Sequence, residues 1–258
     1  MSYKKIALWS PPRSVSTAFL RIFKERSDFT IFNEAFCDLA TIGKYPSVHL
    51  NKELNEQSEL IALLQQYAER SHVFFKETCE VPFAHLFKER EFFQDVMHTF
   101  LVREPKATIN SHYAMNNDVT CEEIGFQNLL QVLEFVREEL KQEVIVIDAQ
   151  DLIESPEHLM RAYCEKVGIA FDMKAMSWQP GDIPEWQRTK AWHKDVSQSS
   201  GIHKGQRQYE VNVDNNDKLA EFYQYHLPIY QQIMQYKLSL VEQASESVTG
   251  NNAIKALT

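Results

Sequence analysis

The residues best equipped for chemistry lie close to the start of the chain. In "IALWSPPRSVSTAFLRIF", residues 6 to 23, Arg13 follows Pro11 and Pro12, and the hydroxyl residues Ser14, Ser16 and Thr17 follow Arg13. The run before the prolines is short and apolar, as a strand is, and the run after them has helical spacing. A strand that turns directly into a helix leaves the first N–H groups of that helix unpaired at the carboxyl end of the sheet, where they attract an anion. Arg13 adds a fixed positive charge and the hydroxyls add donors, so this loop has the groups needed to surround a phosphate. Taken alone, the same residues read equally well as a serine cap beside a solvated arginine.

A second stretch, "HTFLVREPKATINSHYAMN" (98 to 116), repeats the arrangement. Arg103 stands at the end of a strand, Pro105 suits a first helical turn, and Ser111 follows two turns later. By itself this is an arginine with a carboxylate partner and a serine on a helix face. Together the two loops point to a ligand with two phosphate-like groups. Neither G-x-G-x-x-G nor G-x-x-x-x-G-K-[ST] occurs among the glycines at 43, 125, 168, 181, 201, 205 and 250. An ordinary P-loop kinase or Rossmann enzyme is therefore disfavoured.

The elements that must position these residues alternate along the chain. Strands are expected at 4–9, 29–32, 72–76, 98–102 and 143–148, where runs are short, β-branched or aromatic, and bounded by polar residues. Apolar residues at three- and four-residue spacing predict helices at 15–26, 56–70, 82–95, 106–116 and 122–141. Such alternation implies an α/β fold, a mostly parallel β-sheet flanked by helices on both faces. Ser155, Pro156 and Gly168 bracket a further helix, and 217–237 reads as the last one. Residues 177–215 lack periodicity and read as a long ordered loop; loops of this length are usually functional or disordered, and an irregular surface loop with one buried tryptophan is an equally good reading. One domain is expected over 1–240, with a flexible tail at 241–258.

Composition narrows the function. The chain has 258 residues, 44% of them hydrophobic, enough to bury a large core in one domain. A formal charge of -9 argues against a broad nucleic-acid or anionic-membrane surface, so any phosphate site must be a local pocket. Cys37, Cys79, Cys121 and Cys164 lie far apart without a C-x-x-C pair, so reduced structural thiols are expected and neither a zinc site nor a disulfide framework is. The apolar run before the proline pair is too short for a signal-peptide core, and no run is of membrane-spanning length. A soluble, cytoplasmic protein without membrane insertion is expected.

With these motifs assembled, the sequence resembles the sulfotransferases that use 3'-phosphoadenosine 5'-phosphosulfate (PAPS), in a bacterial-type form. "PRSVST" (Pro12, Arg13, Ser14, Val15, Ser16, Thr17) looks like the family's P-[KR]-S-G-[ST]-T, which holds the 5'-phosphosulfate. "REPKATINS" matches R-x-P-x-x-x-x-x-S, which implies that Arg103 and Ser111 hold the 3'-phosphate. "VIVIDAQDLIESPEHLMRAYCEKVGI" (144 to 169) resembles the family's later strand, E-D-L, proline and helix. These matches, in the family's order, span roughly residues 6 to 170. The resemblance implies a P-loop-NTPase-like sulfotransferase fold and transfer of a sulfuryl group from PAPS to a hydroxyl or amine of a small-molecule, lipid or carbohydrate acceptor. It requires no metal, in line with histidines that show no metal-ligand spacing.

The sequence departs from the family's pattern in two places. Val15 stands where glycine is usual, which constrains the backbone at the phosphate. Cytosolic members carry a catalytic histidine in K-T-H after the third strand, whereas "FFKETCEV" keeps Lys76 and has Thr78 instead of the histidine. Other branches use a glutamate near the second strand, and "IFNEAF" puts Glu34 there, at the carboxyl end of the sheet. Glu34 is thus the expected base, Lys76 and Arg13 are expected to assist, and Glu77 and His85 are weaker candidates. "GIHKGQRQY" offers Lys204 and Gly205 as a partial match to the family's closing R-K-G loop. Trp192, His193, Lys194, Ser199 and Ser200 share one stretch within reach of nucleotide or acceptor. Phe32, Phe36, Tyr45, Trp178 and Trp186 are candidates for an apolar acceptor pocket or for core packing. A phosphotransferase and a nucleotide-binding protein without catalysis are the alternatives.

Overall fold

The structure is a computed structural model that describes residues 3–203 and 207–240. Its central sheet has five strands: β1 (Lys5–Ser10), β2 (Phe29–Asn33), β5 (His72–Thr78), β6 (Val96–Val102) and β7 (Ile145–Asp148). They lie in the order β2-β5-β1-β6-β7, and every pairing between them is parallel. All five expected strands are present. The short strands β3 (Tyr45–Ser47) and β4 (Lys52–Leu54) form a separate antiparallel pair that sequence periodicity does not reveal.

The helices are α1 (Ser16–Lys24), α2 (Ala35–Ile42), α3 (Gln57–Ala68), α4 (Arg90–Gln94), α5 (Pro105–Tyr113), α6 (Phe126–Glu134), α7 (Ala149–Glu154), α8 (Pro156–Val167), α9 (Lys194–Ser197) and α10 (Asp217–Met234). Two expected helices are broken. The span 82–95 is a 3-10 turn (Ala84–Lys88) followed by α4, and 122–141 is a 3-10 turn, α6 and a π turn (Phe135–Glu139). Helices α2 and α7 are short segments that continue directly from strand residues, so their periodicity is masked by the apolar runs before them. Ser155, Pro156 and Gly168 bound α8 as expected, with Gly168 left-handed at φ 65.

Residues alternate along each strand, and so the sheet has two apolar faces. On one face Ile6, Leu8, Phe74, Leu101, Ile145 and Ile147 pack with residues of α1 and α8. On the other, Ala7, Trp9, Phe75, Phe100, Val102 and Val146 pack with α3, α6 and α10. Helix α1 is held firmly: Phe23 stacks on Phe74 with ring centroids 3.9 Å apart, and Phe19 meets Tyr163 edge-on at 5.1 Å. Burying such rings contributes about 1.5–3 kcal/mol each, which fixes the start of α1 beneath the carboxyl ends of the strands.

The connections leaving β1 and β6 run to opposite sides of the sheet. This opens a crevice above the carboxyl ends, where open α/β sheets place ligands. Residues 177–201 cross this crevice as a strap, largely 3-10 (Pro184–Trp192) and then α9. Its ends are pinned together by the Ser177–Gly201 bridge and by the Trp178 amide donating to the Ser200 carbonyl at 3.1 Å. Within 177–201 the expected long loop carries short helical turns. The expected tail from 241 lies outside the described residues.

Candidate active site

The loop from Pro12 to Val15 begins where β1 ends. Arg13 and Val15 both adopt left-handed backbone, at φ 64 and φ 68, while Ser14 between them does not. Alternation of this kind turns successive N–H groups to one side and makes an anion-binding nest. The amides of Ser14, Val15, Ser16 and Thr17 have no backbone partner among the described residues. The hydroxyl of Ser14 is fully buried and has no hydrogen-bond partner there. Val15 thus takes the conformation a glycine takes easily, at a cost of about 1–3 kcal/mol for a β-branched residue. Gly125 supports the loop from behind. A Cβ on it would stand 2.7 Å from the Cys79 carbonyl oxygen and 3.1 Å from Pro12, so only glycine fits, at φ 89.

Arg103 and Ser111 are brought to this loop across the sheet. Nε of Arg13 donates to Ser111 Oγ at 3.0 Å, and one nitrogen of Arg103 donates to the Arg13 carbonyl oxygen at 3.3 Å. Another Arg13 nitrogen donates to the Trp192 carbonyl at 2.8 Å. Arg207, which the sequence reading did not single out, pairs with Asp195, itself 4.0 Å from Arg13. Burial lowers the pKa of both Arg13 and Arg103; Asp195 and Tyr209 oppose the shift at Arg13, as Tyr209 and Glu104 do at Arg103, while neighbouring arginines reinforce it. Arginine remains cationic at neutral pH despite such shifts, so this end of the crevice is strongly positive. Lys204 and Gly205 lie outside the described residues.

The opposite end is acidic. Glu34 sits between β2 and α2 in left-handed backbone, its amide donating to the Lys76 carbonyl at 2.6 Å. Its carboxylate is ion-paired with Lys76 Nζ, whose side chain is 1% exposed. Burial pushes the Glu34 pKa up, but Lys76, His193 and Arg188 outweigh burial and hold it below the ordinary carboxylate value. Glu77, next in β5, points to the other face as strand alternation requires and accepts from the Phe36 and Cys37 amides at 3.1 and 2.9 Å. It caps α2 and does not line the crevice. Burial raises its pKa to about 8. His85 is exposed in the 3-10 turn before α4, away from the crevice.

Several lining residues escaped the sequence reading. Glu80 faces the crevice, and burial followed by repulsion from Glu34 raises its pKa to about 7. Asp38, buried in α2, holds Arg188 of the strap through both carboxylate oxygens. Nothing in spacing marks these residues, because they converge only through the sheet order and the strap. The strap is tied down further by Arg21, which donates to the Gly181 and Gln179 carbonyls at 3.1 and 3.2 Å. His193, named in the sequence reading, is buried between Thr17 and Thr189.

Arg13, Arg103, Ser111, Glu34, Lys76, Asp38, Glu80, Arg188 and His193 line one cavity of about 1140 Å³. Phe32, Phe36, Tyr45, Trp178 and Trp186 do not line it: all five are buried in the two cores. No three His, Cys, Asp or Glu side chains converge to hold a metal among the described residues. Nor is any helix there long and apolar enough to cross a membrane.

Known proteins share this architecture. The sulfotransferase domain of the Synechococcus PCC 7002 olefin synthase has the same fold, with a TM-score of 0.53 at 15% identity, over 88% of this chain and 96% of that one. In sequence, the branched-chain-amino-acid aminotransferase-like proteins 2 and 1 of Arabidopsis thaliana are 24% and 25% identical over 217 and 209 residues, or 78% and 75% of this chain. Those alignments cover 37% and 36% of the plant proteins, so the chain spans little more than a third of their length. The sulfotransferase-domain family model matches residues 4–235, a span that includes β1 to β7, the nest, both arginine loops and the strap. By that match, the chain belongs to the sulfotransferase domain family.

Proposed function

We propose that the chain transfers a sulfuryl group from PAPS to a hydroxyl or amine of a small acceptor. The observation that carries this reading is the convergence of Arg13, Arg103 and Ser111 on a loop whose four amides and one buried hydroxyl lack backbone or side-chain partners among the described residues. Buried arginines crowded together, with donors aimed at one point, suit a ligand carrying more than one anionic group.

The donor molecule supplies the sulfuryl group and a stable phosphate leaving group. The nest amides and the Ser14 hydroxyl bind the 5' end, while Arg103 and Ser111 bind the 3'-phosphate; Arg13, which already bonds Ser111, ties the two halves together. Sulfuryl transfer, like phosphoryl transfer, spreads negative charge over the transferred group, so alignment and fixed donors supply most of the catalysis. Glu34 is ionised at neutral pH and takes the acceptor's proton. Its protonation loosens the ion pair with Lys76, and the ammonium is then free to stabilise charge on the sulfuryl oxygens. The acceptor lies among Glu34, Asp38, Thr78 and Glu80, a polar surface suited to a hydroxyl- or amine-bearing molecule rather than a flat aromatic one.

The test is a thermal-shift titration with adenosine 3',5'-bisphosphate against ADP, ATP and AMP, with Arg103→Ala as the control. Ligand at a hundred times its dissociation constant stabilises the fold by about 2.7 kcal/mol, well within detection. Selective stabilisation by the bisphosphate, lost in Arg103→Ala, is the expected result. Equal stabilisation by ATP or ADP would move the reading to phosphoryl transfer. Turnover in an acceptor screen then tests the chemistry: Glu34→Gln is expected to lower kcat by about 10²-fold or more, as loss of a general base does. Binding without turnover in any such screen would leave a nucleotide-binding protein.

A further inference from the structure

We infer that His193 is a positioning residue that turns the hydroxyl of Thr17 into a hydrogen-bond donor at the nest. The inference rests on the reading of that loop as the donor's anion site. Thr17 belongs to the first turn of α1 and lines the cavity. Its Oγ1 lies 3.0 Å from His193 Nδ1, and on the far side of the ring Nε2 lies 3.0 Å from Thr189 Oγ1. The imidazole is 4% exposed, packs against Trp186 at a centroid distance of 5.3 Å, and is anchored by its own amide, which donates to the Lys190 carbonyl at 3.0 Å. It therefore has little freedom to turn away.

A neutral imidazole carries one N–H, so a hydroxyl–imidazole–hydroxyl chain has two polarities. In the first, Nε2–H donates to Thr189, Nδ1 accepts from Thr17, and the single proton of Thr17 is directed inward. The oxygen lone pairs of Thr17 then face the cavity and repel an anion. In the second, Thr189 donates to Nε2, Nδ1–H donates to Thr17, and the Thr17 proton is free to point at an anionic oxygen. An anion in the nest selects the second polarity, and the strap reaches the phosphate through two hydroxyls and one ring.

Burial, more than the charged groups around it, keeps the ring neutral. Lys76 from β5 and Arg13 from the loop oppose a second proton, Glu34 beyond β2 and Asp182 of the strap favour it, and burial is the largest influence; together they push the pKa down to about 4. At neutral pH the choice is thus between tautomers and not between charge states.

Asparagine and glutamine separate this role from packing, because the Asn amide nitrogen stands close to the place of Nδ1 and the Gln amide nitrogen close to that of Nε2. Binding of adenosine 3',5'-bisphosphate is measured by calorimetry for the wild type and for His193→Ala, His193→Asn and His193→Gln, each checked for folding by circular dichroism. His193→Ala and His193→Gln are expected to weaken binding by about tenfold, the equivalent of one charge-assisted hydrogen bond, and His193→Asn to restore most of it. In parallel, the His193 Cδ2 carbon shift of the wild type saturated with the bisphosphate is expected to report the Nδ1–H tautomer. An Nε2–H tautomer in that complex overturns the inference, as does equal behaviour of the Asn and Gln variants. Failure of the wild type to bind the bisphosphate would instead overturn the reading of the nest itself, and the two failures are distinct.

Discussion

Val15 concentrates the conflict between local preference and site geometry. A β-branched side chain at φ 68 is strained, yet the nest needs that backbone and Val15 packs against the core beside α1. Trimming it to alanine removes packing and keeps the strain, whereas glycine removes both. Val15→Gly is therefore expected to be more stable than Val15→Ala by about 1 kcal/mol, although it removes more atoms. Urea denaturation of the two variants checks the order; an alanine variant at least as stable as the glycine one would show that the strain is not stored there. At His98 the local and global demands agree: Trp9 Nε1 donates to Nδ1 at 3.0 Å and Nε2 faces the Phe93 carbonyl, so the buried ring is fully paired as a neutral group.

Helix α2 starts where Glu34 turns the chain, and a carboxylate from β5 caps its first turn. Glu34 enters it in left-handed backbone, and Glu77 accepts two of its free amides, which satisfies donors that an eight-residue helix cannot pair internally. The two carboxylates act on stability in different pH windows. The folded pKa of Glu77, about 8, lies above its ordinary 4.5, so between those values the folded state holds a proton that the unfolded chain releases. Stability from this group therefore falls as pH rises through that window. Glu34 is shifted the other way, and its contribution is lost only as pH falls below the ordinary carboxylate range. From pH 5 to 8 the wild type should lose at least about 1.4 kcal/mol relative to Glu77→Gln, the equivalent of one pKa unit. Parallel denaturation curves for the two proteins across that range would contradict this.

Across the whole molecule, the strap joins what the sheet separates. It ties to α1 through Arg21 and through the His193–Thr17 contact, to the nest loop through Arg13, and to α2 through the Arg188–Asp38 pair. The Arg188 side chain is 41% exposed and that of Asp38 is 6% exposed, so the pair lies between the surface and buried regimes. Arg188→Ala is expected to cost about 1–2 kcal/mol, more than a surface pair and less than a fully buried one. Limited proteolysis should then cut within 177–201 sooner than in the wild type, while the sheet core still melts in one transition. Unchanged cleavage would mean that the arginine contacts to α1 hold the strap alone.

The five strands and both arginine loops are legible in the sequence alone, which shows them through short β-branched or aromatic runs, three- and four-residue apolar spacing and proline placement, all local properties. The sequence also marked Glu34 and Lys76, whose neighbours belong to a strand end. The joining of Arg13 to Ser111, the pairing of Glu34 with Lys76, the capping of α2 by Glu77, and the placing of Glu80, Asp38 and Arg188 around one cavity were decided only by the tertiary structure. These contacts join residues from 40 to 150 positions apart. Nothing in local spacing encodes them, because they follow from the order in which the strands pair and from where an aperiodic strap comes to rest. The aromatic residues make the same point in reverse. Their types fit an acceptor pocket or a core equally well, and packing against both faces of the sheet assigned them to the core.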